Sequence, residues 1–175
     1  MRGTKRWKKI TFISLAVYAA LFLALVAYVK INNYGINLTP SAAMGIWRLK
    51  AKDREYTTGK YILIEGAKLR ENPQFNPYYA RHASSGNMLK KILGVSGDRI
   101  ARRDDCLEIN GEKVSDGKFF EIDTEGNPLN GYDLPQILGA GEYWVHSRER
   151  GYDSRYFGPI SEDAIKGVME PIFVW

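Results

Sequence analysis

The uncharged stretch at residues 11–29 constrains the fold more than any other feature of this chain. As an α-helix rising about 1.5 Å per residue, its 19 residues can cross a hydrocarbon core of about 30 Å. The ten residues before it carry five basic and no acidic side chains, and positive charge favours the cytoplasmic side of a membrane. We therefore predict a cytoplasmic basic tail at residues 1–10, a transmembrane anchor at residues 11–29 and one exported domain at residues 30–175.

A cleaved secretory signal is the alternative for the same segment. The apolar region of such signals is usually about 7–15 residues long, which is shorter than the stretch in this chain. A cleavage site after Ala27 would also place Leu25 where a small residue is normally found. Both observations favour a retained anchor.

Charge and cysteine content exclude several classes of protein for the exported domain. Six of the 25 basic residues lie in the first 30 residues, so the remainder has 19 basic against 20 acidic residues. This balance lacks the basic surface that nucleic-acid binding needs. Cys106 is the only cysteine, which rules out an intrachain disulfide. Neither His82 nor His146 stands near a cluster of metal ligands, and we expect neither a metal nor a cofactor.

Short apolar runs separated by turn residues predict a mostly β domain. The predicted strands are residues 46–50, 60–65, 88–95, 107–109, 113–114, 142–146 and 168–175. Asn110 and Gly111 form the favoured two-residue hairpin turn between two of them. The predicted connections are a leader from the membrane at 31–38, an irregular stretch or short helix at 67–80 and long loops at 115–138. The expected fold is thus a mostly β domain behind one N-terminal transmembrane helix.

Two adjacent lysines interrupt the apolar strand at residues 88–95, which runs into a Gly-Val-Ser-Gly-Asp turn. Side chains alternate between the two faces of a strand, so Lys90 and Lys91 must point in opposite directions. A lysine on the core face loses its water, which lowers its pKa. The neutral amine can then accept a proton, which makes it a possible general base. Taken alone, a strand lysine is more often solvated or ion-paired.

A candidate nucleophile stands soon after the anchor. Ser41 follows residue 29 by 12 positions and comes directly after Thr39 and Pro40. A late Asp-Ser-Arg-Tyr-Phe-Gly-Pro segment runs from Asp153 to Pro159. In order and spacing, the anchor, the serine, the lysine strand and this late segment together resemble the type I signal peptidases, which are Ser–Lys peptidases of the S26 type. Within that family, the chain is most similar to the TraF-like conjugative-transfer peptidases.

The resemblance implies a signal-peptidase-like β domain with a role for each matching residue. Ser41 matches the nucleophile and Lys90 the general base, while the Thr39 side chain and the Ser41 N–H match the two donors to the oxyanion. Asp153 and Arg155 match an ion pair beside the lysine. In the TraF-like branch that aspartate is linked to activity, although a purely structural ion pair is the alternative. Ser154 lies in the same segment and is a supporting candidate.

Several positions depart from the family's pattern. Some relatives have a serine that contacts the lysine where this chain has Gly151, so Ser154, Asp153 or a water molecule is left to orient Lys90. Ser96 replaces the proline of the usual Gly-x-Pro-Gly-Asp turn, and Ala43 stands near the position of another expected proline. Residues 145–148 lack the Gly-Asp-Asn of the housekeeping enzymes, which favours the conjugative branch.

The resemblance implies a single-pass protein of the bacterial inner membrane with its catalytic domain in the periplasm. We predict a serine endopeptidase that uses a Ser–Lys dyad and no cofactor to process exported precursor proteins. A conjugative pilin is the expected substrate, released either by hydrolysis or by cyclisation, and the other expected partners are the lipid bilayer and a conjugative transfer apparatus. The alternatives are a general preprotein signal peptidase and a non-catalytic periplasmic assembly scaffold.

Two further alternatives concern individual residues. A Ser–His–Asp hydrolase is formally possible through Ser41, His146 and Asp153, because these residue types form the usual triad. The apolar residues Met44, Ile46 and Trp47 either contact lipid or substrate, or pack in the core of the domain.

Overall fold

The computed structural model describes residues 2–51, 56–76, 78–79, 86–148 and 150–175, with side chains from Trp7 onward. The N-terminal helix α1 spans Arg2–Ile31. Its part Trp7–Ile31 has a mean hydropathy of 2.5, so it is long and apolar enough to cross a membrane. The helix gives way to extended chain after Asn33, which has a φ of 54° and is of a residue type that tolerates this left-handed conformation.

Eleven strands follow the helix in the described residues. They are β1 Tyr34–Asn37, β2 Gly45–Leu49, β3 Tyr61–Ile64, β4 Met88–Gly94, β5 Arg99–Arg103, β6 Cys106–Ile109, β7 Glu112–Lys118, β8 Gln136–Ile137, β9 Glu142–His146, β10 Ile160–Ser161 and β11 Ile165–Val174. Short helices occur at α2 Gly66–Leu69, α3 Ser154–Phe157 and a 3₁₀ turn Glu162–Ala164. The prediction of a mostly β fold is confirmed.

The strands form two antiparallel sheets. The larger has seven strands in the order β1-β2-β11-β3-β4-β9-β10, and the smaller has four in the order β7-β6-β5-β8. In the large sheet β4 pairs with β3 on one side and with β9 on the other. The lysine strand is therefore an interior strand, and its neighbours shield it from water on both edges.

Apolar residues from the large sheet and from α3 form the main core. Ile62, Ile92, Val145 and Phe157 are all fully buried in this cluster. A second cluster around Trp144 lies against the small sheet. Each such side chain contributes about 1.5–3 kcal/mol when fully buried. Strand β9 supplies residues to both clusters and so joins the two sheets.

Three regions differ in structure from the sequence prediction. Residues 34–37 were predicted to be a leader but form strand β1, because Ile36 pairs with Ile46 of β2. Strand β5 was not predicted, since three of its five residues are arginines and only Ile100 is fully buried. The region predicted as long loops contains the second half of β7 and all of β8. Each of these strands is defined by its pairing partner rather than by its own composition.

Candidate active site

Asn37, at the end of β1, holds the loop that carries Ser41. Its side-chain Nδ2 donates hydrogen bonds to the carbonyl oxygens of Thr39, Ala42 and Ala43 at 3.0, 3.3 and 3.1 Å. Its Oδ1 accepts from the backbone N–H of Thr39 at 3.2 Å. A single amide side chain thus closes the turn between β1 and β2, with Ser41 half-buried at its tip.

The hydroxyl of Thr39 lies next to that of Ser41. Thr39 Oγ1 is 2.9 Å from Ser41 Oγ and donates to Asn37 Oδ1 at 2.8 Å. A hydroxyl has one proton to give, so while Thr39 donates to Asn37, Ser41 is the donor to Thr39. The predicted oxyanion residue therefore contacts the predicted nucleophile.

Lys90 lies on the core face of β4. Its side chain is buried, with 4% of its surface exposed, whereas the adjacent Lys91 is half-buried. The pKa of Lys90 is lowered to about 8, mainly by desolvation. The negative charge of Asp153 opposes this shift, and the positive charge of Arg155 adds to it. A substantial fraction of this amine is therefore neutral slightly above neutral pH.

A buried serine that sequence reasoning missed contacts the lysine. Lys90 Nζ donates to Ser147 Oγ at 3.1 Å. The Ser147 hydroxyl donates in turn to Asp153 Oδ2 at 3.0 Å, and the Ser147 backbone N–H donates to the same oxygen at 2.8 Å. Ser147 and Asp153 are both almost fully buried, so this is an enclosed polar chain that leads from the amine to the carboxylate.

Asp153 and Arg155 form a fully buried ion pair. Arg155 Nε donates to one carboxylate oxygen at 2.9 Å and Nη2 to the other at 2.8 Å. Burial alone would raise the pKa of Asp153, but the contact with His146 and the charge of Arg155 outweigh it and hold that pKa well below its usual range. Asp153 also accepts from the Arg155 backbone N–H at 3.0 Å, which caps α3.

His146 lies between two carboxylates. Its Nδ1 is 3.3 Å from Asp153 Oδ2 and its Nε2 is 3.3 Å from Asp116 Oδ2 on β7. The imidazole is buried and connects Asp153 to the small sheet. Among the described residues it makes no hydrogen bond to Ser41, which a Ser–His–Asp arrangement would require.

The other residues of the late segment have structural contacts. Ser154 Oγ accepts from the backbone N–H of Val145 at 2.9 Å, which ties α3 to β9. Gly151 packs so closely on Ser147 that a Cβ built at position 151 would lie 2.1 Å from Ser147 Oγ.

His82 lies outside the described residues, and among those described there is no group of three or more metal-ligating side chains.

Ser41 and Lys90 line the same cavity. It has a volume of about 890 Å³, and Thr39, Arg148 and Gly151 also line it. The backbone N–H of Arg148 donates to the carbonyl oxygen of Ser41 at 3.3 Å, so the segment after β9 contacts the loop that carries Ser41. Within the described residues Ser41 Oγ bonds to Thr39 and Lys90 Nζ bonds to Ser147, with no hydrogen bond between the two.

Comparison with known proteins defines the family. The family described as signal peptidase, peptidase S26, matches residues 4–175, and the chain therefore belongs to it. The chain is 27% identical over 180 residues to the plasmid transfer protein TraF of Escherichia coli, covering 97% of this chain and 99% of that protein. It is 28% identical over 154 residues to the conjugal transfer protein TraF of Agrobacterium fabrum (strain C58), covering 83% and 85%. The predicted resemblance is confirmed.

Proteins named signal peptidase I are also similar to this chain, one of them over a shorter stretch. Signal peptidase I V of Bacillus subtilis (strain 168) is 34% identical over 92 residues, which covers 47% of this chain and 55% of that protein. Among solved structures, a signal peptidase I from Enterococcus faecalis V583 matches 66% of this chain and 97% of that chain, with a TM-score of 0.41 and 21% identity. The family supports a peptidase role for this protein.

Proposed function

We propose that this protein is a membrane-bound serine endopeptidase in which Ser41 is the nucleophile and Lys90 the general base. The observation that carries the proposal is the burial of Lys90 in the cavity that Ser41 lines. Serine is a poor nucleophile until a nearby base removes its proton, and a lysine can do this only as a neutral amine. Desolvation lowers the pKa of Lys90 to about 8, which supplies that form.

The proposed reaction begins with rotation of the Ser41 hydroxyl from Thr39 toward Lys90. Lys90 takes the proton as Ser41 Oγ attacks the carbonyl carbon of the scissile peptide bond. The Thr39 hydroxyl and the Ser41 N–H then stabilise the oxyanion, and the loss of one such donor typically costs about 10²–10³ in rate. Lys90 returns the proton to the leaving amine, which leaves an acyl-enzyme on Ser41.

The acceptor of the acyl group determines the product. When the mature protein is the acyl part, water gives a linear product, whereas attack by its own amino terminus gives a cyclic one. We propose exported precursors as the substrate class and a conjugative pilin as the principal member, because the two TraF relatives are similar over nearly their whole length. The names of these relatives refer to conjugal and plasmid transfer, which also favours the transfer apparatus as a partner.

Co-expression with candidate precursors tests the proposed function. Wild type should convert the precursor, while Ser41→Ala and Lys90→Ala should abolish conversion and keep the wild-type melting temperature within a few degrees. Lys91→Ala is the matched control, because it removes the neighbouring lysine on the opposite face of β4. A scaffold protein would tolerate all three substitutions, and that result would disprove the enzymatic proposal.

The mass of the product separates the remaining alternatives. A cyclic product is lighter by one water than the linear mature protein, so intact mass spectrometry distinguishes the two acceptors. A panel that includes an ordinary secretory precursor distinguishes the conjugative role from general preprotein processing. Conversion of the secretory precursor at the rate of the pilin would favour a general signal peptidase.

A further inference from the structure

We propose that Ser147 is the positioning residue for Lys90: its hydroxyl holds the amine so that the nitrogen lone pair faces the cavity and Ser41. This inference rests on the proposed Ser–Lys mechanism and goes beyond it by assigning the residue that orients the base. Among the described residues, Ser147 Oγ is the hydrogen-bond partner of Lys90 Nζ, at 3.1 Å.

The direction of each hydrogen bond follows from the charge of Asp153. An ionised carboxylate can only accept, and Asp153 is held ionised by the contact with His146 and the charge of Arg155. The single proton of the Ser147 hydroxyl therefore goes to Asp153 Oδ2, 3.0 Å away. The hydroxyl is left able only to accept from Lys90, so an N–H of the amine must point at it.

This directionality matters because a neutral amine has two N–H bonds and one lone pair. A general base must present its lone pair to the proton it removes. Anchoring one N–H of Lys90 on Ser147 keeps the lone pair from pointing at Ser147 and leaves it available on the cavity side. Asp153 acts on the base through Ser147, so this carboxylate can contribute to the orientation of Lys90 although the two make no hydrogen bond among the described residues.

The packing of Gly151 supports the assignment independently. A Cβ at position 151 would lie 2.1 Å from Ser147 Oγ and 2.7 Å from Ser147 Cβ. Gly151 is not among the glycines with positive φ, so the requirement for glycine here is steric rather than conformational. Positions 147 and 151 thus compete for one space beside the lysine, and this chain gives that space to the hydroxyl of Ser147.

The neighbouring backbone places the same segment against the nucleophile. The N–H of Arg148 donates to the carbonyl oxygen of Ser41 at 3.3 Å. Two consecutive residues therefore contact the base and the nucleophile loop, and the segment after β9 sets the relative position of the two reacting groups.

Replacement of Ser147 by alanine tests the inference. We expect kcat to fall about 10- to 100-fold, the range for a lost hydrogen bond to a charged or reacting group, with KM nearly unchanged. Loss of an acceptor for the ammonium also lowers the pKa of Lys90, so the acidic limb of the pH–rate profile should move to lower pH. A purely structural serine would not shift that limb. Ser161→Ala, an exposed serine remote from Lys90, is the control.

A rescue variant keeps the test decisive if Ser147→Ala is poorly folded. Ser147→Gly removes the two side-chain atoms that a Cβ at 151 would meet and leaves the Arg148 carbonyl oxygen at 3.2 Å. Ser147→Gly/Gly151→Ser can therefore return a hydroxyl to the same space. We expect the kcat of the double variant to be at least tenfold higher than that of Ser147→Gly. A folded double variant without recovery, or a Ser147→Ala enzyme with wild-type kcat and pH profile, would overturn the proposal.

A measurement without turnover separates this inference from the proposed function. The full-length protein in detergent is labelled with trace acetic anhydride across a pH series, and mass spectrometry gives the labelling midpoint of Lys90. The midpoint should be lower in Ser147→Ala than in wild type and unchanged in Ser161→Ala. If wild type cleaves no precursor, the proposed function fails, while this midpoint still decides whether Ser147 binds Lys90. An identical midpoint in wild type and Ser147→Ala would refute the contact.

Discussion

At the scale of single residues, burial separates two adjacent lysines of identical chemistry. Lys90 faces the core and its pKa falls because the charged form loses water, whereas the half-buried Lys91 occupies the other face of β4. The buried amine then has Ser147 as its hydrogen-bond acceptor and the Asp153–Arg155 pair behind it. The site is therefore a small charged network enclosed by apolar strands.

The pH dependence of activity follows from Lys90. In the proposed mechanism the neutral amine is the active form, and its pKa is about 8, so kcat/KM should rise about tenfold per pH unit below that value and level off above it. The measurement is a profile from pH 6 to 10 with a soluble peptide substrate. An activity that is flat or falls across this range would contradict Lys90 as the base.

The same group links stability to pH. Its pKa in the folded protein, about 8, lies below the ordinary value of 10.5, so the unfolded chain binds more protons between these values. Stability should therefore rise with pH through this window. Lys90→Met should remove that rise, which melting temperatures measured from pH 7 to 10.5 would detect; an unchanged slope in this variant would contradict the link.

Removal of the charge on Asp153 should destabilise the fold. Asp153→Asn leaves the Arg155 guanidinium buried without a counter-charge, and breaking a buried pair in this way typically costs about 3–5 kcal/mol. Urea unfolding of the β domain in the full-length protein measures the loss, with Asp163→Asn as an exposed control. The pKa of Asp153 is depressed in the folded protein. The loss of unfolding free energy should therefore be complete at pH values above the usual pKa of an aspartate, and it should shrink as the pH falls through that pKa. A loss below 1 kcal/mol would indicate that the pair is solvated.

At the scale of elements, three segments of the chain bring together the residues proposed to react. The loop that carries Ser41 joins β1 to β2, Lys90 is on β4, and Ser147 and Asp153 follow β9. The hydrogen bond from Arg148 to the Ser41 carbonyl joins the first of these segments to the last. No single element contains the site, so its geometry depends on the pairing of the strands.

Asn37 should be needed for activity more than for folding. Its amide closes the nucleophile turn through three carbonyl oxygens, so Asn37→Ala should lower kcat at least tenfold with a small change in melting temperature. Asn37→Asp is the informative comparison, because it keeps the acceptor for Thr39 and loses the donors. Wild-type kcat in both variants would show that the turn keeps its structure without the hydrogen bonds of Asn37.

At the scale of the whole molecule, an exposed apolar rim adjoins the end of α1. It is formed by residues of β1, the start of β2 and the end of β11: Ile36, Leu38, Met44, Ile46, Ile172, Phe173, Val174 and Trp175. Ile46 pairs with both Ile36 and Phe173, and the Trp175 N–H donates to the Met44 carbonyl. Exposed patches of this kind mark contact surfaces, whereas Trp47 is buried in the core.

We expect this rim to rest on the bilayer beside the anchor. Phe173→Ser/Trp175→Ser should slow processing of a membrane-embedded precursor several-fold and leave cleavage of a soluble peptide unchanged, because the reacting groups are untouched. Reconstituted vesicles and a fluorogenic peptide provide the two assays. Equal effects on both substrates would mean that the rim supports the fold instead.

The sequence by itself determined the N-terminal apolar helix, the mostly β class and the family. The reason is that an uncharged run, short apolar runs and motifs in a fixed order can each be recognised in the sequence without knowing which residues are in contact. It also indicated the roles of Ser41, Lys90 and Asp153, through their order and spacing. Strands β1 and β5 were missed, because polar residues interrupt the apolar pattern of both, and pairing with β2 and with β6 and β8 defines them.

Only the tertiary structure decided what surrounds the lysine. Ser147 carries no signal in its own sequence, since its contact with Lys90 joins residues 57 positions apart. Gly151 likewise becomes meaningful only when the space that its missing side chain would fill is seen to hold the Ser147 hydroxyl. Hydrogen-bond direction and steric exclusion depend on distances between chain segments, and those distances exist only once the sheets have packed.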